Sequence, residues 1–297
     1  MKIVIFGGTG FIGRNLKEYF QNNTSYDVDC PTRQQLNLLD EKAVDDYLRN
    51  NRPDVLINAA ICRNPKYFVN NQAESELAQD LRMFHILEKR QDLYGKLLYF
   101  GSGAEYGKQN PIVSVREEDL TGDVPLNDYG LAKYTIGKAI ENSRNIYNLR
   151  IFGLFGKYEN WKTTFISGAC CKALNQLPIT IRQNVFFDYL YIDDFCKIIH
   201  WFVDNTPKHK TYNVSSGRKI DLQTLANIVI SKSGYDVPVY VCKPGYGVEY
   251  TANNQRLLDE CKSVSITDIE SSIEDLLEYY KSIKDEIDIL SLLYPGG

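Results

Sequence analysis

The sequence predicts an α/β fold in which a doubly wound parallel sheet is followed by a smaller C-terminal lobe. Short apolar segments alternate with amphipathic ones through the first half of the chain, a pattern typical of strand–helix–strand units. At 297 residues the chain is long enough for one large α/β unit and an attached lobe. We assign residues 1–156 to the sheet domain and residues 157–297 mainly to the lobe, with some later segments returning to the sheet.

Each element is predicted from its hydrophobic pattern. Continuous apolar character predicts five strands, near Lys2–Phe6, Tyr26–Cys30, Val55–Asn58, Lys96–Phe100 and Ile146–Ile151. Helical periodicity predicts four helices between them, over Gly13–Phe20, Glu41–Asn50, Glu74–Gln91 and Asp128–Ser143. The segments that we assign to the lobe are Trp161–Leu174, Asp221–Ser233 and the amphipathic run Ile266–Leu293.

The composition of the chain argues against several classes of function. A formal net charge of −4 argues against a nucleic-acid surface, because phosphate contacts need a basic face. No segment approaches the length of a membrane span, and the chain opens in the strand Lys2–Phe6 without a secretory leader, so we expect a cytoplasmic protein. The 7 cysteines form no Cys-x-x-Cys pair and the 3 histidines are scattered, so we expect free thiols and no metal site.

A glycine-rich loop follows the first strand and opens a helix. Its sequence is Gly7-Gly8-Thr9-Gly10-Phe11-Ile12-Gly13. A pyrophosphate must approach the backbone closely at a helix N-terminus, and side chains at the glycine positions would obstruct that approach. In this context the loop predicts a dinucleotide-binding site of the Rossmann type.

The glycine spacing resembles that of the extended branch of the short-chain dehydrogenase/reductases, the NAD-dependent epimerase/dehydratase family. Further motifs follow in the family's order over about residues 1–220: Asn37-Leu38, Asn58-Ala59-Ala60, Tyr129-Gly130-Leu131-Ala132-Lys133 and Phe187–Asp194. The resemblance implies an oxidoreductase with a nicotinamide cofactor, a nucleotide-linked sugar bound by the C-terminal lobe, and a homodimer. The cofactor-binding residues predicted in this way are Gly7, Thr9, Gly10, Phe11, Ile12, Gly13, Arg14, Arg33, Asn37, Leu38, Ala59, Ala60, Tyr129 and Lys133.

Ser102, Tyr129 and Lys133 are the predicted catalytic residues. Tyr129 and Lys133 are four residues apart on a predicted helix, which puts them on one face, a turn apart. A phenol titrates near ~10, so it needs a nearby cation to exchange protons near neutral pH. Ser102 follows the strand Lys96–Phe100 and resembles the family's Ser or Thr that donates a hydrogen bond to the reacting oxygen.

The cofactor prediction favours NADP(H) and leaves NAD(H) open. Arg33 stands after the second strand, where NAD-binding proteins place a carboxylate, and an arginine suits a 2′-phosphate. The segment Thr32–Asp40 also resembles that of the NADPH-dependent GDP-fucose synthases, and Arg14 could supply a second cation. Asp29 lies only a few residues earlier and is the carboxylate that NAD would require.

The predicted reaction is reduction of a 4-keto nucleotide-linked sugar. Dehydratases of the family carry an Asp-Glu pair after the Ser or Thr, where this chain has Gly103-Ala104. Epimerising reductases of the GDP-fucose synthase type place a cysteine at Ala104 and a histidine around Trp161–Ile166, and both are absent. An NAD-dependent 4-epimerase is the alternative enzyme. A dinucleotide-binding sensor or scaffold is the alternative without catalysis, against which the intact Tyr129 and Lys133 argue.

The substrate contacts are predicted less directly. Phe187 stands where the family often has an arginine for the nucleotide phosphates, and Gln79 stands where an asparagine is usual. The candidates for substrate contact are Ser102, Gly103, Lys162 and Arg182.

Overall fold

The elements are those of a computed structural model, which describes residues 1–61, 68–69, 72–120 and 123–293. The strands are β1 (Lys2–Phe6), β2 (Asp27–Asp29), β3 (Val55–Asn58), β4 (Phe68–Val69), β5 (Gln72–Ala73), β6 (Lys96–Ser102), β7 (Ile112–Val115), β8 (Ile146–Ile151), β9 (Gly153–Phe155), β10 (Ile179–Asn184), β11 (Phe186–Tyr191), β12 (Thr211–Val214), β13 (Lys219–Asp221), β14 (Val239–Tyr246) and β15 (Tyr250–Ala252). The helices are α1 (Phe11–Asn23), α2 (Glu41–Asn51), α3 (Glu76–Glu88), α4 (Asp128–Ile140), α5 (Phe165–Leu174), α6 (Ile192–Asp204), α7 (Leu222–Ser233), α8 (Gln255–Glu260), α9 (Ile269–Ser282) and α10 (Ile289–Leu293), with short 3₁₀ turns at Gly103–Tyr106, Glu117–Asp119 and Lys284–Glu286.

A six-stranded parallel sheet forms the centre, in the order β2-β1-β3-β6-β8-β12. Strand side chains alternate between its faces, so Ile3 and Ile5 join one apolar cluster while Val4 and Phe6 join another. Helices α1 and α6 cover the first face, and α2, α3 and α4 cover the second. The predicted α/β fold with a doubly wound parallel sheet is confirmed.

The strand order reverses between β1 and β3, which lie side by side although β2 comes between them in the chain. In open α/β sheets the carboxyl ends of the strands at such a reversal form a crevice where ligands bind. The glycine-rich loop follows β1, and Ala59-Ala60 follows β3. The topology therefore positions both predicted motifs at one crevice.

The C-terminal half adds a second, smaller sheet in the order β13-β11-β15-β7, with β9 paired to β11. Tyr250 on β15 aligns with both Phe187 on β11 and Ile112 on β7, so three distant segments meet at this residue. Helices α5, α7 and α9 pack together beside this sheet. No helix within the described ranges is long and apolar enough to cross a membrane.

Several boundaries differ from those predicted. β6 continues two residues beyond Phe100, so that Ser102 is its last residue, and helix α1 begins at Phe11 rather than Gly13. Helix α4 ends at Ile140, and β12 comes from residues 211–214, well beyond the first half of the chain. Pairing with β8 accounts for the longer β6, because Ser102 lies opposite Ile151.

Candidate active site

Three glycines of the loop after β1 have different structural roles. Gly7 has a φ of +83°, and a Cβ there would lie 2.7 Å from the carbonyl carbon of Ala59. A Cβ at Gly13 would overlap the carbonyl oxygen of Gly7. A Cβ at Gly10 would meet only that same oxygen, at an ordinary 3.5 Å. Gly7 and Gly13 are therefore required by packing, whereas the fold itself leaves room for a side chain at Gly10.

The N-terminus of α1 presents unpaired backbone donors. Gly10 is its N-cap, no side chain accepts from its first turn, and that turn contains no acidic residue. The first N–H groups of a helix have no intrahelical partner, and the helix dipole favours an anion there. These features suit the pyrophosphate of a dinucleotide.

A cavity of about 280 Å³ opens beside this loop. Eight predicted cofactor residues line it: Gly7, Thr9, Gly10, Arg33, Asn37, Leu38, Ala59 and Ala60. Leu36, Leu39 and the otherwise buried Gln79 contribute further walls. The cavity combines an apolar wall, which suits a nucleobase, with the exposed cation of Arg33. Its lining suits the adenosine end of a dinucleotide.

Other predicted cofactor residues lie outside this lining. Phe11 and Ile12 pack against the core of the first sheet face. The guanidinium carbon of Arg14 lies 3.6 Å from the ring centroid of Tyr158, and its Nε pairs with Glu18. Arg14 is thus held by neighbours on the helix side and does not line the cavity.

The alternative ribose ligand, Asp29, is the last residue of β2. One of its carboxylate oxygens accepts a hydrogen bond from the Tyr47 hydroxyl at 2.5 Å. Asp29 is not among the residues that line the cavity, whereas Arg33 is.

Ser102 ends β6 and caps the following 3₁₀ turn. Its Oγ accepts a hydrogen bond from the backbone N–H of Ala104 at 3.1 Å. Its own N–H donates to Oε1 of Glu105 at 3.1 Å, which completes a reciprocal capping box. This turn fixes where the Ser102 side chain leaves the strand.

Glu105 forms a buried ion pair beneath the turn. Its Oε2 lies 2.6 Å from Nε of Arg150 on β8, and the Asn148 amide donates to both carboxylate oxygens. Both charged side chains are almost completely buried. Because a buried charge needs a partner, the pairing with Arg150 accounts for the burial of Glu105 beneath the turn. The sequence analysis missed this pair.

Tyr129 and Lys133 lie one turn apart on α4, whose N-cap Asn127 accepts from Gly130 N–H. Lys133 is buried, and its Nζ donates to the Phe100 carbonyl at 2.8 Å and to the Tyr99 hydroxyl at 2.9 Å. The same nitrogen lies 5.8 Å from the ring centroid of Tyr129. The cation is thus fixed on β6 and close to the phenol.

Tyr250 is a site residue that sequence reasoning missed. Burial raises the pKa of its phenol. A Cβ on Gly103 would overlap the Tyr250 hydroxyl oxygen. The Tyr250 hydroxyl therefore lies against Gly103, the residue that follows Ser102. One tyrosine among 21 on a three-residue strand gives no sequence signal.

The other predicted substrate residues lie apart from this group. Lys162 lines a separate cavity of about 220 Å³ beside Trp161 and α5. Arg182 is exposed on β10. Phe187 packs against the Tyr250 ring, with centroids 5.9 Å apart.

Within the described residues there is no group of three His, Cys, Asp or Glu side chains that could hold a metal ion.

Comparison with known proteins supports membership of the family that the sequence motifs resemble. The family model described as "NAD dependent epimerase/dehydratase family" matches residues 3–215. GDP-L-colitose synthase of Yersinia pseudotuberculosis is 25% identical over 96% of this chain and 99% of its own length. Methionine adenosyltransferase 2 subunit beta of Pongo abelii is 31% identical over 56% of this chain and 51% of that protein.

A solved structure of similar fold is the GDP-L-fucose synthetase of Naegleria fowleri bound to NADP. It superposes with a TM-score of 0.80 at 17% identity, covering 96% of this chain and 95% of the other. The family match covers the parallel sheet, the glycine-rich loop, Ser102, Tyr129 and Lys133. The chain therefore belongs to the NAD-dependent epimerase/dehydratase family and is an NAD(P)-dependent enzyme of the extended short-chain dehydrogenase/reductase type.

Proposed function

We propose that the protein is an NADPH-dependent reductase of a 4-keto nucleotide-linked sugar. The observation that carries the proposal is that the carboxylate in the turn after β6, that of Glu105, is already engaged in a buried ion pair. Ser102 and Tyr129 carry hydroxyl groups, whereas the carboxylate of Glu105 accepts hydrogen bonds from Arg150, Asn148 and the backbone N–H of Ser102. Reduction of a ketone needs only hydroxyl donors, whereas elimination or epimerisation beside the ketone needs a free base.

The bound nicotinamide would supply the hydride to C4 of the sugar. Tyr129 would donate a proton to the C4 oxygen, and the charge of Lys133 would stabilise the phenolate that remains. Ser102 would hydrogen-bond the same oxygen as negative charge develops on it. The hydrogen bond from Lys133 to the Phe100 carbonyl places its ammonium two residues from Ser102 on the same strand.

The proposed cofactor is NADP(H). Arg33 lines the cavity and can pair with a 2′-phosphate, whereas Asp29 is held by Tyr47. The residues proposed to hold the cofactor are those predicted from the sequence apart from Arg14, with the glycine-rich loop at the pyrophosphate and Asn37-Leu38 at the adenine. The relatives named for GDP-linked sugars support a nucleotide-linked sugar as substrate. Gly103 would lie beside it, and residues 157–297 would supply the remaining contacts, with Lys162 and Arg182 as candidates for the diphosphate.

A panel of 4-keto sugars linked to GDP, dTDP or UDP tests the proposal. The purified protein is incubated with each sugar and NADPH, and the absorbance of the reduced cofactor is followed, with Tyr129→Phe as the inactive control. We expect oxidation with at least one sugar, lost in the control. The NAD-dependent 4-epimerase, which would use the same three residues, gives a different result: two hydroxyl epimers interconvert without added cofactor.

We also propose that the chain works in the cytoplasm as a homodimer formed through α3 and α4. These two helices pack together on the second face of the sheet. The six cysteines that the structure describes are all free, which suits a reducing compartment. Sedimentation equilibrium would give twice the chain mass of 34.1 kDa. A monomer at micromolar concentration would contradict the dimer.

A further inference from the structure

We propose that Glu105 is a positioning residue of the candidate active site: its buried carboxylate sets the place of Ser102 relative to Tyr129 and Lys133. The inference rests on the proposed function for the reaction in which these three residues would cooperate. Its structural part rests on the hydrogen bonds and the packing around the carboxylate alone.

The carboxylate of Glu105 holds the end of strand β6. Its Oε1 accepts a hydrogen bond from the backbone N–H of Ser102 at 3.1 Å, while the Oγ of Ser102 accepts from the N–H of Ala104. Two reciprocal bonds of this kind restrain both the backbone and the side chain of the first residue. The direction in which the Ser102 hydroxyl leaves the strand therefore depends on Glu105.

Helix α4 packs directly on the same carboxylate. A Cβ at Gly137 would lie 2.5 Å from Oε2 of Glu105, so a side chain there would press on the carboxylate. Gly137 follows Lys133 by four residues and Tyr129 by eight, so the three lie along one face of the helix. The face that carries the proposed proton donor and its cation therefore meets Glu105 one turn beyond Lys133.

Strand β8 holds the carboxylate from a third side and leaves it little room to move. Arg150 Nε lies 2.6 Å from Oε2, and the Asn148 amide donates to the two oxygens at 3.2 and 3.1 Å. A Cβ at Gly101 would overlap the side chains of both Asn148 and Glu105. One fixed carboxylate thus joins β6, β8 and α4.

This junction matters for the proposed reaction because two elements must present their side chains to one atom. Ser102 on β6 and Tyr129 on α4 would both contact the C4 oxygen of the sugar, and hydrogen bonds weaken steeply as their geometry departs from the ideal. The bond from Lys133 to the Phe100 carbonyl is one contact that holds the two elements together. Glu105 supplies the contact that lies beside Ser102 itself.

Two double variants separate positioning from packing. Both contain Arg150→Met, which removes the cation that would otherwise be buried without its partner. Glu105→Gln keeps an oxygen that can accept from the Ser102 N–H, whereas Glu105→Leu removes it. We expect kcat for the 4-keto sugar to be about tenfold lower in the leucine variant than in the glutamine variant.

The affinity for NADPH is the control for a general loss of structure. Glu105 does not line the cavity beside the glycine-rich loop, so the Kd for NADPH should differ less than about threefold between the two variants. If the leucine variant does not fold, Gly137→Ala gives the same test from the helix side, because its methyl group would displace the carboxylate. It should also lower kcat, and a wild-type kcat there overturns the inference.

An amide signal reports the contact without any sugar. Gly101-Ser102 is the one Gly-Ser pair in the sequence, so labelling with ¹³C-carbonyl glycine and ¹⁵N-serine isolates the Ser102 amide in an NMR spectrum. A hydrogen bond to a carboxylate moves an amide proton downfield. We expect this signal further upfield, and faster hydrogen exchange, in the leucine variant than in the wild type. An unchanged signal and exchange rate overturn the contact.

Failure of the inference differs from failure of the proposed function. Equal kcat values in the glutamine and leucine variants overturn the role of Glu105 and leave the proposed function intact. If the wild type reduces no sugar at all, the proposed function fails, and crystal structures of the wild type and the leucine variant decide the inference. An unchanged separation of Ser102 Oγ and Tyr129 Oη in the two crystals overturns it, and a changed separation supports it.

Discussion

The Nζ of Lys133 lies 2.8 Å from the carbonyl oxygen of Phe100, two residues before Ser102 on the same strand. Helix α4 is therefore fixed to β6 at the place where the predicted proton donor and the predicted alkoxide ligand must cooperate. A second bond, to the Tyr99 hydroxyl at 2.9 Å, fixes the ammonium from another direction. Small displacements within such a site are costly to catalysis, because reacting groups must stay within hydrogen-bond reach.

Tyr129→Phe should abolish proton donation while preserving the ring. We expect a fall in turnover on the order of 10²–10⁴-fold, the usual size of acid–base contributions, with cofactor affinity nearly unchanged. Steady-state kinetics and a cofactor titration measure the two quantities. Tyr134→Phe, on the same helix, is the control and should retain activity. Activity retained in Tyr129→Phe would remove Tyr129 from the mechanism.

Gly10→Val should abolish cofactor binding in a folded protein. The backbone at Gly10 is extended, with φ −81° and ψ 174°, and a Cβ there meets no close neighbour. The added side chain would instead occupy the approach of the pyrophosphate. Calorimetric titration should detect no binding, while thermal unfolding stays close to wild type. Gly13→Val is the contrast, because overlap with Gly7 should destabilise the fold itself. Unchanged affinity in Gly10→Val would refute the assignment of the loop.

Arg33→Ala should weaken NADPH binding about 10–100-fold and leave NADH binding nearly unchanged. The reason is that a charge-assisted bond to a 2′-phosphate has no counterpart in NADH. Fluorescence titration with both cofactors measures the ratio of affinities. Arg49→Ala, an exposed arginine paired with Asp45 on α2, is the control for general charge effects. Equal losses for the two cofactors would contradict the preference for NADPH.

Glu159 should make stability depend on pH. Burial raises the pKa of its carboxyl to about 7, opposed by hydrogen bonds from Ser167 and Thr164. The folded state then binds more protons than the unfolded state between about pH 4.5 and 7, so the free energy of unfolding falls as pH rises through that range.

In Glu159→Gln this contribution should be absent, because the amide stays neutral and still accepts from Ser167. Relative to wild type, the variant should gain on the order of 2 kcal/mol in unfolding free energy between pH 5 and pH 8. Urea unfolding at both values measures it. Parallel pH dependence in the two proteins would show that Glu159 ionises normally.

The site residues that the sequence predicts are those whose setting is determined by the strand or helix on which they lie. The glycine-rich loop, Ser102 and the Tyr129–Lys133 pair each sit at the end of a strand or on one helix face, and the pattern around them predicts that setting. Tyr250 and Arg150 depend instead on pairing between distant strands. Tyr250 comes to Gly103 only because β15 aligns with β7 and β11, which no local pattern encodes.

The tertiary contacts of charged side chains could not be predicted from the sequence either. Glu105 follows Ser102 by three residues in the chain, and only the fold shows that Arg150 on β8 pairs with it beneath the turn. Arg14 shows the converse, because its position in the loop motif suggests a phosphate ligand while its guanidinium lies on the Tyr158 ring. In both cases a contact with a residue distant in the chain determines which groups the charged side chain meets.

Isotope tracing tests the central claim most directly. The protein is incubated in deuterated water with NADPH and the 4-keto sugar that it reduces, and the product is analysed by NMR for deuterium at each ring carbon. Because the carboxylate of Glu105 after Ser102 is engaged by Arg150, we expect one NADPH consumed per product, hydrogen delivered to C4 from the cofactor, and no deuterium at C3 or C5. Deuterium at C3 or C5, or interconversion of two epimers without net consumption of NADPH, would contradict a simple 4-ketoreductase.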